Sequence, residues 1–243
     1  MHIIKLNAIG STNSYLKELC VKNKLKDYTT VIAKSQTNGR GQMGTSWYVQ
    51  DGKNLTCSVF KRSQAYSVDH SFYISIVTSL TIVKALQRFN VPKLRVKWPN
   101  DILSEEKKIC GILIENIMKQ SQLEASVIGI GLNVNQTQFK NLPQASSLKI
   151  ITGKLFDLDE LVQLILSTFQ YYFQRLEAKE YQLLKDEYEA LLFRKDKPST
   201  FKDRQGNTFP GFIKGVDTLG NIQILLEDDI LKAFKLKDVQ LLY

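Results

Sequence analysis

Histidine and cysteine are scarce in this chain of 243 residues, which contains two histidines and three cysteines. Cys20, Cys57 and Cys110 are widely spaced and form no CxxC pair, so the sequence predicts no disulfide framework and no zinc site. We expect these thiols to be buried or half-buried in a reducing compartment. His2 and His70 offer too little for a histidine-based metal centre or catalytic triad, and we expect His70 on the surface near a helix start.

Long apolar runs are missing as well, and so is the pattern of a secretory leader. The hydrophobic stretches are short and interrupted, so we expect no helix that crosses a bilayer and no membrane partner. The first residues lack the cationic start, apolar middle and cleavage site of a signal peptide. These absences predict a cytoplasmic location.

Basic residues are in excess, with 33 Lys plus Arg against 24 Asp plus Glu. Such a charge suits nucleic acid, acidic proteins or phosphorylated ligands. The lysines are scattered along helices and loops, and the sequence has no helix-turn-helix, RNP-like or zinc-finger signature. We therefore favour a small-molecule ligand and expect no nucleic-acid partner.

The order of apolar patterns predicts an α+β fold with a central mixed or antiparallel sheet flanked by helices. Helical spacing and capping residues indicate helices over 12–24, 68–89, 158–179 and 180–193. Short β-branched stretches indicate strands over 28–36, 53–61, 94–98, 108–116 and 124–135. We assign residues 1–195 to this catalytic domain. Residues 196–243 alternate short strands with turns at 205–207, 219–221 and 227–229, which predicts a small β-barrel domain.

Five segments place small, polar and cationic residues at strand ends: "GSTN" (10–13), "QTNGRGQMGTSW" (36–47), "KWPND" (97–101), "KKICGILIE" (107–115) and "GIGLNVN" (129–135). Each segment alone has an ordinary structural explanation. Ser11 and Asn13 suit a helix cap, Trp98 suits the core, and Lys107 suits a solvated strand start. The glycine loop lacks the GK[ST] of a Walker motif, and a strand rather than a helix follows it, unlike the dinucleotide fingerprint.

Together, these segments resemble the motifs of the biotin protein ligases, also called biotin–acetyl-CoA-carboxylase ligases. The resemblance rests on "STN", "Q-x-x-GRG-x-x-G-x-x-W", "KWPND", "K-x-x-GIL-x-E" and "G-x-G-x-N-x-N", which follow the family's order and spacing. It covers nearly the whole chain, because "GFIKGVDTLGNIQI" resembles the family's C-terminal barrel. The implied fold is a class II synthetase-like catalytic domain followed by an SH3-like β-barrel.

The resemblance implies an ATP-dependent, AMP-forming ligase with biotin, ATP and Mg²⁺ as substrates and cofactor. Such enzymes join the biotin carboxylate to the α-phosphate of ATP and release pyrophosphate. The biotinyl-AMP then gives its acyl group to a lysine of a biotin carboxyl carrier protein domain. The first step brings two anions together, so it needs cations and hydrogen-bond donors rather than a nucleophilic side chain. A chain poor in histidine suits that chemistry.

The same resemblance assigns the site residues, with Lys108 and Arg40 as the catalytic cations. It implies biotin contacts from Ser11, Thr12, Asn13, Gln36, Arg40, Gly41, Gln42, Lys108 and Gly111. It implies nucleotide contacts from Arg40, Trp47, Asn100, Asp101, Lys108 and Asn133. Asp101 is also the implied acid near the magnesium ion. Lys107, the neighbour of Lys108, is expected to be solvated.

Two departures from the family pattern carry expectations. Gln42 and Thr45 stand where many members have basic residues, so we expect weaker retention of biotinyl-AMP. Many members also carry an N-terminal helix-turn-helix domain, whereas the "STN" motif begins here at Ser11. We therefore expect a ligase that binds no operator DNA.

Three alternatives stay open from the sequence. A lipoate–protein ligase would share the adenylate chemistry, although the "KWPND" and "KxxGILxE" motifs favour biotin. A biotin-responsive DNA-binding regulator would explain the basic charge, but the helix-turn-helix is missing. A non-catalytic biotin-binding module would not need Arg40 and Lys108. A homodimer is also possible, since an exposed sheet edge can pair with a second copy or with the carrier.

Overall fold

A computed structural model describes residues 2–22, 24–63 and 70–243, and of Met43 the backbone alone. The helices in these ranges are α1 (Thr12–Lys22), α2 (Phe72–Arg88), α3 (Leu148–Thr152), α4 (Leu158–Glu177) and α5 (Tyr181–Glu189). The predicted helices agree with α1, α2, α4 and α5, while the short α3 was not predicted. The predicted beginning of the second helix, before residue 70, lies outside the described residues. None of the described helices is long and apolar enough to cross a membrane.

Seven strands form the large sheet: β1 (Ile3–Ile9), β2 (Thr30–Gln36), β3 (Leu55–Arg62), β4 (Arg95–Lys97), β5 (Asp101–Ser104), β6 (Lys107–Lys119) and β7 (Gln122–Leu132). Their order is β1-β2-β3-β7-β6-β5-β4. The β1–β2 pair is parallel and the other pairs are antiparallel, which confirms the predicted mixed sheet. The edge strand β1 was not predicted.

Alternation along the strands separates the two faces of this sheet. On β3, Leu55, Cys57 and Val59 face α2, α4 and α5 in the main core. Phe60 belongs to a smaller core under α1 on the opposite face, together with Leu16. The strand β3 is therefore covered on both faces, and all of its residues except Arg62 are buried, polar ones included. Most residues of α2 are buried as well, as its apolar composition requires.

A second sheet is formed by β8 (Pro198–Asp203), β9 (Thr208–Val216), β10 (Ile222–Leu225), β11 (Leu231–Phe234) and β12 (Val239–Leu242). Its order is β11-β10-β9-β8-β12, antiparallel throughout. Residues 196–243 are all described, and in them β11 and β12 are not paired, so the expected barrel is not closed by hydrogen bonds. The small sheet is attached to the large one through Trp98, whose Nε1 donates a hydrogen bond to the Gly220 carbonyl at 2.9 Å.

His70 differs from its predicted surface position. Its ring is half-buried and stacks on Tyr181, with 4.3 Å between the ring centroids. The contact holds the approach to α2 against α5. The cysteines agree with the prediction, since Cys57 and Cys110 are buried, Cys20 is half-buried, and none of the three is in a disulfide.

Candidate functional site

A cavity of about 790 Å³ lies on the α1 face of the large sheet, between the glycine loop and the C-terminal segment. All of the site residues predicted from the sequence line it: Ser11, Thr12, Asn13, Gln36, Arg40, Gly41, Gln42, Trp47, Asn100, Asp101, Lys108, Gly111 and Asn133. The second sheet contributes part of the wall through Leu236 and residues 240–243. Segments that are far apart in the sequence therefore meet around one space.

Three glycines of β6 and β7 form the floor of this cavity. Gly111 lies opposite Gly131 in the β6–β7 ladder, and both face the cavity. A Cβ atom on Gly131 would lie 2.5 Å from Cε2 of Trp47, and one on Gly129 would lie 2.5 Å from Oδ1 of Asn13. A side chain at either position would collide with these neighbours. The "GIG" of β7 thus lets the indole of Trp47 lie directly on the sheet.

At one end of the floor, the first turn of α1 forms a polar pocket with β2 and β3. Gln36 Oε1 accepts hydrogen bonds from the backbone N–H of Thr12 at 2.8 Å and from its hydroxyl at 3.0 Å. The buried Ser58 hydroxyl lies 2.5 Å from Asn13 Oδ1 and 2.7 Å from Thr12 Oγ1. Because an amide oxygen can only accept, Ser58 donates its proton to Asn13, so the single hydroxyl proton of Thr12 serves either Gln36 Oε1 or the Ser58 oxygen, not both at once. Donors and acceptors are therefore both present in this pocket.

Ser11 serves as the cap of α1 as well as lining the cavity. Its hydroxyl accepts a long hydrogen bond of 3.5 Å from the backbone N–H of Ser14, three residues on. Ser11 therefore caps α1 and lines the cavity at the same time. Capping anchors the helix end that carries Thr12 and Asn13 into the pocket.

At the other end, Lys108 reaches the cavity because β6 is irregular. The β5–β6 register shifts between Ile102 and Leu103, and both Ile109 and Cys110 point into the main core. Strict alternation would place Lys108 and Gly111 on opposite faces, but this bulge brings them to the same face. The Lys108 ammonium lies 2.7 Å from Asp101 Oδ1 and 5.5 Å from the centre of the Trp47 ring.

A second lysine, Lys97, adds positive charge to this end. Its ammonium lies 4.6 Å from the centre of the Tyr243 ring, on the wall contributed by the second sheet. Burial is the main cause that lowers the pKa of Lys97, and the charge of Lys108 acts in the same direction, while Asp101 opposes them. Burial likewise raises the pKa of Tyr243, with a smaller contribution from Asp101. The charged form of Lys97 is thus disfavoured mainly by its burial, and to a smaller extent by the charge of Lys108.

Lys107 keeps the solvent contact expected of it and also makes two specific hydrogen bonds. Its ammonium donates hydrogen bonds to the Pro143 carbonyl at 2.9 Å and to Gln144 Oε1 at 3.2 Å. The contacts tie the start of β6 to the segment before α3, and Lys107 does not line the cavity. The two adjacent lysines therefore have different surroundings.

Asn100 and Asn133 line the cavity while fixing its walls. Asn100 Nδ2 donates to the Ile112 carbonyl at 2.8 Å, and Asn133 Nδ2 donates to the Ser146 carbonyl at 3.0 Å. Both amides thus use Nδ2 to hold backbone in place. Any contact with a nucleotide would fall mainly to their oxygens.

The glycine loop folds over the cavity as a short hairpin. Gly41 N–H donates to the Thr45 carbonyl at 2.6 Å, and Trp47 N–H donates to the Gly39 carbonyl at 2.9 Å. Between them Gln42–Gly44 forms one 3₁₀ turn, and the Thr45 hydroxyl donates to the Gln42 carbonyl at 2.7 Å. Thr45 therefore closes the turn, which is a structural reason for a small polar residue at this position.

Glu115 binds the loop and the polar pocket at once, and it was not among the predicted site residues. Its Oε2 atom lies 2.8 Å from Arg40 Nη2 and 2.8 Å from Asn13 Nδ2, and its Oε1 atom lies 3.0 Å from Lys17 Nζ. Burial raises the pKa of Glu115, but hydrogen bonds from Asn13 and Lys17 and the charge of Arg40 outweigh it, so the pKa lies below its usual value. The signal was available, because Glu115 ends the "KxxGILxE" motif.

Ser58 and Thr56 were also missed, and no sequence motif pointed to them. Both lie on β3, two residues apart, on the cavity face. The Thr56 hydroxyl and the Trp47 Nε1 atom are buried without a hydrogen-bond partner within the described residues. Since buried polar groups are nearly always paired, these two atoms are candidates to bind a ligand in the cavity.

The described residues include no group of three or more His, Cys, Asp or Glu side chains that could hold a metal ion. Among the described residues that line the cavity, Asp101 alone is acidic, and it already pairs with Lys108. This donor set does not fit a metal held by protein side chains alone. It fits a magnesium ion whose ligands are mostly phosphate oxygens and water.

Comparisons with known proteins agree with these observations. The biotin/lipoate A/B protein ligase family matches residues 6–133. The bifunctional ligase/repressor BirA of Bacillus spizizenii is 28% identical over 245 residues, which cover 99% of this chain and 74% of that protein. A biotin--[acetyl-CoA-carboxylase] ligase of Paracoccus denitrificans is 25% identical over 78% of this chain and 81% of its own length.

Solved structures share the fold over the whole chain. The biotin protein ligase from Aquifex aeolicus in complex with biotin and ATP has a TM-score of 0.84 and 25% identity, covering 99% of this chain and 98% of that one. The matched family region includes every predicted site residue, from Ser11 to Asn133. The resemblance inferred from the motifs is thus confirmed, and the chain belongs to the biotin/lipoate A/B protein ligase family.

Proposed function

We propose that this chain is a biotin–protein ligase that forms biotinyl-AMP from biotin and ATP and transfers biotin to a lysine of a carboxylase's carrier domain. The observation that carries the proposal is one cavity with a polar pocket at one end and the ammonium groups of Lys97 and Lys108 at the other. The glycine floor of β6 and β7 lies between these two ends. A bicyclic acid and a nucleotide are each partly flat, so both can lie along such a floor.

In the first step, a biotin carboxylate oxygen attacks the α-phosphorus of ATP. An oxygen–phosphorus bond forms, the bond to the β-phosphate oxygen breaks, and pyrophosphate leaves. The protein supplies no nucleophile and needs none. It must hold two anions close together and stabilise the charge on the phosphoryl oxygens, which cations and oriented donors do best in a partly enclosed site.

Thr12, Asn13 and Gln36 would hold the ureido ring of biotin, with Ser11 at the pocket edge. That ring has one carbonyl and two N–H groups, so it requires donors and acceptors together. The Thr12–Ser58–Asn13 hydrogen bonds support this assignment, because they orient several polar atoms toward one space. A lipoate ring has no such polar groups, and it would leave the pocket unpaired.

Lys108 would bridge the biotin carboxylate and the α-phosphate, and Arg40 would join it from the loop. Lys108 now pairs with Asp101, so binding of phosphate exchanges one anionic partner for another. Gly41 and Gln42 would cover the adenylate, Gly111 would leave it room, and Trp47, Asn100 and Asn133 would bound the nucleotide side.

Mg²⁺ would enter with ATP near Asp101 and neutralise phosphate charge. One carboxylate in the cavity is enough for an ion that keeps its phosphate and water ligands. In the second step, the amine of the carrier lysine attacks the acyl carbon. An amide bond forms, the amine loses its proton, and AMP leaves with the electrons of the broken bond.

Several coarser proposals accompany this one. Residues 1–195 and 196–243 would be a catalytic domain and a C-terminal domain, which the separation into two sheets supports. A cytoplasmic location stays a prediction from the sequence. A homodimer would be formed through a sheet edge, and light scattering of the purified chain would detect it.

The proposed function is tested by asking which acid, biotin or lipoate, the protein activates with ATP. The protein is mixed with Mg²⁺, ATP and either biotin, lipoate or no acid, and pyrophosphate release is measured. We expect release with biotin and only background release with lipoate. Equal release with both acids, or release with lipoate alone, contradicts a biotin ligase and favours the lipoate alternative.

A further inference from the structure

Glu115 belongs to two parts of the site at once. Its carboxylate lies on the cavity face of β6, where it is 19% exposed, and it contacts three groups from two elements, α1 and the glycine loop. Asn13 belongs to the polar pocket, Arg40 to the glycine loop, and Lys17 to the outer face of α1. The Lys17 side chain is 44% exposed and the Arg40 side chain 39%, so solvent screens both ion pairs.

Asn13 and Arg40 bind the same oxygen atom of Glu115. Asn13 Nδ2 and Arg40 Nη2 each lie 2.8 Å from Oε2. The second Nδ2 proton of Asn13 points to the Leu113 carbonyl at 3.2 Å, and its Oδ1 accepts from Ser58. The orientation of the Asn13 amide is therefore set by Glu115, Leu113 and Ser58 together. Any movement of this amide changes the acceptor that Arg40 uses.

We propose that Glu115 is a positioning residue that couples the acid-binding pocket to the glycine loop by holding Asn13 and Arg40 on one carboxylate oxygen. This inference rests on the proposed function, since it takes biotin as the acid. In the free enzyme, Glu115 holds the loop in place over the cavity through Arg40. An acid in the pocket fixes Asn13, and so strengthens the hold on the loop.

Lys17 allows Arg40 to leave Glu115 and return to it, because Lys17 remains as a cationic partner of the carboxylate. When Arg40 turns to the phosphate of the adenylate, Glu115 keeps Asn13 and Lys17 as partners and is not left as a half-buried unpaired charge. Leaving a half-buried carboxylate unpaired would oppose that movement. The second cation therefore lets the loop exchange Glu115 for the ligand.

The rate of trypsin cleavage after Arg40 measures how firmly the glycine loop is held, because Arg40 is the only lysine or arginine in residues 37–47. The full-length protein is digested with and without saturating biotin, without ATP, and fragments 1–40 and 41–243 are quantified by mass spectrometry. In Glu115→Gln, we expect cleavage after Arg40 to be up to about fivefold faster, the effect of losing one partly exposed ion pair. We also expect biotin to slow this cleavage in the wild type but not in the variant, and biotin to dissociate several-fold faster from the variant.

Glu105→Gln is the matched control, since it removes the same charge from the exposed Lys93–Glu105 pair on the β5–β6 turn. It should behave as the wild type. Cleavage after Lys154, in the connection between α3 and α4, reports general loosening of the fold. Equal acceleration at Lys154 and Arg40 in Glu115→Gln would overturn the proposal, because it would make Glu115 merely structural.

The two proposals fail in different ways. A wild-type protein that does not bind biotin contradicts the proposed function and with it the coupling. The coupling alone is contradicted if the wild-type protein binds biotin but the rate of cleavage after Arg40 changes neither with biotin nor with the Glu115→Gln substitution.

Discussion

Replacement of Lys108 by alanine should stop adenylate formation while the fold stays intact. The Lys108 ammonium is the cation that the β6 bulge brings to the cavity floor, 2.7 Å from Asp101. Loss of one group that stabilises developing charge costs about 10²–10³ in rate, or about 2.7–4 kcal/mol of transition-state stabilisation. The Lys108–Asp101 pair is partly exposed, so its loss should cost at most about 1 kcal/mol of folding stability.

Two measurements separate these effects. Pyrophosphate release at saturating biotin and Mg²⁺-ATP should fall by at least about 100-fold in Lys108→Ala. The thermal midpoint should fall by no more than about 2–4 °C, the shift that 1 kcal/mol produces in a domain of this size.

Lys107→Ala is the neighbouring control. Lys107 binds the Pro143 carbonyl outside the cavity, so its removal should leave the rate within about a factor of three, equivalent to less than 1 kcal/mol. Wild-type pyrophosphate release from Lys108→Ala would refute the role of Lys108. Equal losses in both variants would show that the start of β6, rather than the Lys108 charge, matters.

Three further variants test other parts of the site. Gln42→Arg should slow dissociation of biotinyl-AMP, because it adds a charge-assisted contact to phosphate; equal off-rates in variant and wild type would contradict this. Gly131→Ala should weaken biotin and ATP binding by displacing Trp47, since its Cβ would lie 2.5 Å from the indole; unchanged affinities would show that the indole moves freely. Thr56→Val should weaken substrate binding without loss of stability, whereas Ser79→Ala, another buried unpartnered hydroxyl outside the cavity, should leave binding unchanged; isothermal calorimetry compares the two.

Much of the fold was predictable because its signals are local. The apolar spacing of α2 and α4 and the β-branched runs of β2 and β3 are periodic over many residues, so helices and strands were recognised. The edge strand β1 was missed, since its half-buried residues give a weak alternation. The helix α3 was missed because five residues are too few for a helical period.

The site was predictable as a set of residues but not as a set of contacts. The motifs name Arg40 and Lys108, yet neither motif shows that Arg40 pairs with Glu115 or that a bulge turns Lys108 toward Gly111. Such contacts join strands and loops that are distant in sequence, and the local pattern does not record them. The same reason explains Lys61, a buried lysine 2.7 Å from Asp27 and 2.8 Å from Glu177, which the sequence alone would leave in solvent.

The proposed activity is tested most directly by mass spectrometry of a biotin carboxyl carrier domain after incubation with the protein, biotin and Mg²⁺-ATP. We expect one lysine of the carrier to gain one biotinyl group, and we expect no gain when biotin or ATP is omitted or when Lys108→Ala replaces the wild type. A carrier that stays unmodified in the complete mixture, while the same carrier is modified by another biotin ligase, would contradict the proposed function.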